Sequence, residues 1–196
     1  MRKQFLSVAA AGAMALMSTM AQAGGWTLSA ENSKIAFGSV KKDVVGESHH
    51  FTGLSGSVSE DGTAQIEIDV ASVETLIDIR NERMLKHVFD SINFPKAVIS
   101  ASFDMDEVSS LKPGEAKVID TEAVLGLVGQ EIEIFTELFV VAVADDKVLV
   151  TTDEMIMLST EELGINPGVD ELMKLAKLPS ITRSTPVTLR LMFVKN

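Results

Sequence analysis

The chain has 196 residues, 46% of them hydrophobic, no cysteine, and a net charge of −11. That length fits one domain, and a surface this acidic argues against nucleic acid and anionic lipid headgroups as partners. Without cysteine there are no disulfides, thiolate metal sites or thiol chemistry, and a domain of this size can bury enough apolar surface to fold without them.

Residues 1–23 read as a leader. Arg2 and Lys3 form a basic start, an apolar stretch follows from Phe5 to Met17, and Ala21-Gln22-Ala23 is a small-x-small cleavage signal. The apolar run is short and rich in Ala, Gly and Ser for a membrane span, so a soluble exported product is expected, with cleavage after Ala23 and no stable membrane insertion. Residues 24–196 are then a single domain.

That domain reads as a succession of strands. Trp26 opens a short strand, and Lys34 to Lys41 places Ile35 and Phe37 on one face. Gly46 to Gly56 is rich in Gly and Ser, holds His49, His50 and Phe51, and suggests the bends of a curving sheet. Asp61-Gly62 predicts a hairpin turn. Ile66, Ile68 and Val70 then alternate with polar residues.

At Met84, Leu85, Val88 and Phe89 the period becomes that of a short helix, on which Arg80, Arg83 and Lys86 read as a solvated face with Glu82 as partner. Beyond Pro95, Ala97, Ile99, Ala101 and Phe103 restore period 2. Long strands are predicted over Ala116 to Leu127, Glu131 to Val143 and Lys147 to Leu158. A second helix opens at Asn166-Pro167-Gly168 and stops before Pro179. Val187, Leu189, Leu191 and Phe193 share one face of the last strand. Short connections favour antiparallel pairing, and closure removes exposed edges. The expected fold is mainly β: a lipocalin-like antiparallel eight-stranded barrel with two short helices.

Ser72-Val73-Glu74-Thr75, then Arg80, Phe89-Asp90, Phe94-Pro95, Ala97, Ser100 and Ser102, resemble the signature of the YceI-like family. The resemblance covers about Trp26 to Val194. It departs at Asn81, where the family has Asp, and over Thr121 to Gln130, which leaves the ligand's length and identity open. The resemblance implies a periplasmic barrel that binds a polyisoprenoid lipid or isoprenoid quinone as an apolar small-molecule partner, with no cofactor required.

Alternation, with the family register as guide, nominates Phe37, Phe51, Ile66, Ile68, Ile99, Phe103, Leu125, Leu189 and Leu191 as lining. Arg80 joins them as the residue matching the family's Arg. Small residues (Ser39, Gly53, Ala97, Ala101 and Gly126) are expected to leave room between them. An eight-stranded barrel can also be filled by its own side chains, so an interaction or stress-response module is the rival reading. Both monomer and homodimer remain open.

No Gly-x-Ser-x-Gly elbow or zinc-ligand spacing is present, so neither catalysis nor a metal is expected. His49 and His50 read as ordinary polar or rim residues, and Met155 and Met157 as core or tunnel lining.

Overall fold

The computed structural model describes residues 25–196. The expected leader over 1–23 lies outside them. Twelve strands and three helices follow in chain order: β1 (Trp26–Leu28), β2 (Lys34–Lys41), β3 (Val45–Phe51), β4 (Leu54–Val58), β5 (Thr63–Asp69), β6 (Val73–Glu74), α1 (Asp78–Arg83), β7 (Lys96–Ser102), α2 (Met105–Ser109), β8 (Ala116–Leu127), β9 (Gln130–Ala144), β10 (Lys147–Thr152), β11 (Ile156–Ser159), α3 (Asn166–Leu175) and β12 (Ser184–Lys195). A π-helical turn, Met84–Val88, continues α1.

Eight strands close a ring in the order β1-β4-β5-β7-β8-β9-β10-β12, with β12 returning to β1 through Trp26 opposite Lys195. Every pairing is antiparallel, as the short connections require. The long β12 serves two neighbours on one edge: its end pairs with β1, while Val187 to Arg190 pair with β2. β2 and β3 thus form a hairpin that splays from the ring, with β6 against β3.

Turn chemistry fixes register where the ring folds back. Gly62 has φ +83°, and a Cβ there would lie 1.9 Å from the Phe103 carbonyl, so only glycine fits this hairpin. Between β8 and β9, Val128 and Gly129 both have positive φ, the two-residue turn that matches strand twist.

Helices lie over one end of the barrel. α3 begins with Pro167 in its first turn, and Gly168 packs so closely on the π-helical turn that a Cβ would meet the His87 carbonyl at 2.0 Å. Val88 and Phe89 from that turn join Leu163, Ile165 and Val169 in the main core. The other end holds a smaller cluster of Val108, Ile119, Val140 and Val148, with Val108 supplied by α2.

Several expectations need correction. The stretch Gly46 to Gly56, without an expected strand, holds most of two strands, β3 and β4, separated by Thr52 and Gly53. The single strand expected over Lys147 to Leu158 breaks at Asp153–Met155, and the second half, β11, pairs with β12 instead. Met155 and Met157 are therefore exposed and line nothing. Gly53 is packed against Asp69 and Ser72, and Gly126 faces outward between the inward Leu125 and Leu127; neither makes room inside. The structure also adds α2 to the two expected helices.

Candidate functional site: an apolar cavity with a polar mouth

The barrel is hollow. A cavity of about 530 Å³ runs through it, within the roughly 300–1,000 Å³ of small-molecule sites. Its wall follows β12 from Thr185 to Phe193, about 26 Å of strand at the usual rise per residue. The rival expectation of a barrel filled by its own side chains fails against this space.

All ten nominated residues stand on the cavity wall. Ile66 and Ile68 come from β5, Ile99 from β7 with Phe103 just beyond it, Leu125 from β8, and Leu189 and Leu191 from β12. They share the cavity because each strand of a barrel turns alternate residues inward. Ala97, Ala101 and Ser39 also lie on the wall, where their short side chains leave space beside larger neighbours. Phe37 and Phe51 stack with ring centres 5.3 Å apart, and Phe89 meets Phe51 at 5.7 Å. Arg80 reaches the same space from α1.

The charged side chains of the wall are gathered at one end. Ser39 and Lys41 of β2, Glu47 and His49 of β3, and Arg80 and Arg83 of α1 all border the cavity there. Glu47 anchors the group, accepting from Lys41 Nζ at 2.9 Å and from Arg80 Nη1 at 2.8 Å. Burial works to raise the Glu47 pKa, but the hydrogen bonds from Arg80 and Lys41 outweigh it and hold the carboxyl below its ordinary range. Arg80 Nη2 donates to the Thr75 carbonyl at 2.6 Å. Asn81 secures the same loop, its Oδ1 accepting from the Thr75 N–H at 2.9 Å and from its hydroxyl at 2.5 Å. The amide that replaces the family's Asp therefore still supplies the needed acceptor.

His49 is buried, with 3% of its surface exposed. Its Nε2 lies 3.2 Å from the Ser39 hydroxyl and its ring 5.3 Å from Phe37. Burial first, and the neighbouring Arg80 charge second, push its pKa down to about 4, so the ring is neutral near pH 7.

This corrects two expectations. His49 is an inward residue of the site, while His50, next on the strand, points the other way. The solvated basic face expected on the helix does not hold for Arg83, which borders the cavity beside the nominated Arg80. Glu82 makes no ion pair among the described residues. Reasoning from apolar alternation missed Lys41, Glu47 and His49, although Glu47, His49 and Phe51 do alternate. No group of three or more His, Cys, Asp or Glu among the described residues could hold a metal ion.

A closed antiparallel barrel with an oily interior and a charged entrance defines a protein suited to holding an apolar small molecule. The family model of the YceI-like domain matches residues 26–182, and the chain belongs to that family. A polyisoprenoid binding domain from Saccharophagus degradans, described as implicated in plant cell wall breakdown, is 32% identical. It aligns over 87% of this chain and 98% of its own, with a TM-score of 0.86. BcnA of Burkholderia cenocepacia (16% identity, 84% and 98% coverage, TM-score 0.66) shares the fold. So does the YCEI protein of Campylobacter jejuni (12%, 76% and 82%, TM-score 0.54). No match was found among curated proteins.

Proposed function

We propose that this protein binds one long apolar lipid, a polyisoprenoid or an isoprenoid quinone, inside its barrel and carries or stores it without chemical change. The observation that carries this reading is the continuous apolar cavity. Its support from outside the chain is the Saccharophagus domain, similar over nearly its whole length and described as polyisoprenoid binding.

The physics is favourable. Each methylene leaving water contributes about 0.8 kcal/mol, so a prenyl tail has ample driving force even after the cost of ordering it. Phe37, Phe51, Ile66, Ile68, Ile99, Phe103, Leu125, Leu189 and Leu191 contact the tail, and Arg80 stands where its polar end emerges. The protein needs no cofactor and performs no catalysis on this reading.

On this reading residues 1–23 are removed as a leader and the mature domain works in the periplasm. N-terminal sequencing of protein from its own host should begin at Gly24, and retention of Met1 would remove the export claim. Organic extraction of that protein followed by mass spectrometry tests the function. A prenyl lipid in near-equal amount to protein supports it; an extract without lipid contradicts it.

A further inference from the structure

Six large apolar side chains that stand exposed, Val44, Val45, Leu76, Ile77, Ile79 and Leu175, come from three segments that meet at one place. These are the turn between β2 and β3, the start of α1, and the end of α3 with the loop after it. Specific contacts join them. The Lys42 N–H donates to the Ser180 carbonyl at 3.1 Å, the Ser180 hydroxyl donates to the Asp43 carboxylate at 2.6 Å, and Lys41 bridges to Ile181. Glu47 links Lys41 to Arg80 of α1.

The cavity comes to the surface at the same place. Its lining is buried or half-buried except at Ile77, Ile79 and Ala176, which are exposed, and Leu178 and Ile181 continue the wall beside them. An apolar rim around an apolar hollow is poorly served by water, and exposed clusters of this kind mark contact sites.

Charge says what the contact is with. The chain carries −11 overall, yet the stretches 41–45, 76–83 and 174–181 hold Lys41, Lys42, Arg80, Arg83, Lys174 and Lys177 against Asp43, Asp78 and Glu82. Glu47 offsets Lys41 and Arg80, while Lys42, Arg83 and Lys177 make no ion pair among the described residues. The rim is therefore the cationic part of an anionic molecule. A negatively charged surface attracts it and repels the rest, which orients the approach. Exposed Ile and Leu among free Lys and Arg suit the interface of an anionic bilayer, with the apolar side chains at the acyl boundary and the cations among the phosphates.

We propose that this rim docks reversibly on the anionic face of a phospholipid bilayer, so that the cavity opens onto the acyl layer. The inference rests on the lipid reading of the cavity and adds the route by which the guest enters and leaves. A prenyl chain passing straight from membrane to barrel never presents its methylenes to water.

The chain has no cysteine, so single cysteines can be labelled cleanly. Ile79→Cys on the rim and Phe135→Cys on the outer wall of β9, where the side chain is 71% exposed, each carry a fluorophore. The labelled proteins are mixed with vesicles of phosphatidylcholine alone, or of phosphatidylcholine with an equal part of phosphatidylglycerol. Binding to the anionic vesicles should be about tenfold stronger, given about fivefold for each basic side chain at such a surface, and should weaken at high salt. Nitroxide on the lipid chains should quench the Ile79 label and spare the Phe135 label. Lys42→Asn combined with Lys177→Asn should cost about tenfold in binding. The urea midpoint should hold, because both positions have positive φ, which asparagine adopts readily. Should that variant fail to fold, the two labels decide. Absence of binding to either vesicle, or an Ile79 label left in water, would overturn the docking rim. If the same protein still yields a prenyl lipid on extraction, the carrier reading stands without it. Quenching at Phe135 alone would also overturn the proposal, by moving the contact to the outer wall.

Discussion

Arg80 of α1 lies 2.8 Å from the Glu47 carboxylate of β3, and this ion pair ties the helix across the barrel's opening to the hairpin that forms its side. The same guanidinium holds the Thr75 carbonyl. Arg80→Ala would leave a partly buried carboxylate with Lys41 alone and a carbonyl without its donor. Loss of about 2 kcal/mol is expected, the scale of hydrogen bonds to charged groups, read as a lower urea midpoint with an unchanged slope.

His49 sets a pH dependence. Its folded pKa, about 4, lies below the ordinary 6.5, so between those values the unfolded chain binds a proton that the folded chain refuses. Its contribution to stability is whole above pH 6.5 and is lost progressively as the pH falls toward 4. Glu47, held below its ordinary 4.5, adds a loss at still lower pH. The denaturation midpoint of the wild type should drop across the upper window. In His49→Gln the drop should be smaller, and an equal drop in both would show that His49 does not carry it.

Much of this was legible in the chain because β5, β7 and β12 alternate cleanly: Ile66 and Ile68, Ile99, and Leu189 and Leu191 all face the cavity. β3 was not legible, because its inward face carries Glu47 and His49, and a search for apolar alternation passes over a strand whose inside is polar. That departure is the mouth of the cavity. The break at Asp153–Met155 was hidden because apolar residues continue on both sides of it. α2 is only five residues long, with Val108 its one buried residue, too little for a period to show.

The hollow can be filled without disturbing the wall. Ala101 and Ala123 border the cavity, and enlarging either to Leu adds carbon where there is space rather than packed atoms. The lipid-free variants should gain about 1–2 kcal/mol from apolar area newly removed from water, while the amount of lipid extracted falls. Destabilisation by either substitution would mean that the interior is already full.

Leu76 is strained and wet. It has φ +62°, with 83% of its surface exposed, and its N–H is held by the Glu74 carboxylate. Leu76→Gly releases the clash of Cβ in a left-handed conformation and gives up little burial. A net gain of up to about 1 kcal/mol is expected after the greater freedom of glycine in the unfolded chain is counted. Thermal unfolding of the two proteins side by side measures it.

The most direct measurement is a crystal structure of the protein purified from its own host. The account predicts one elongated density along β12 from Thr185 to Phe193, ending near His49 and Arg80. Scattered water in that space, or Ile99, Leu125 and Leu191 closed upon one another across it, would contradict it.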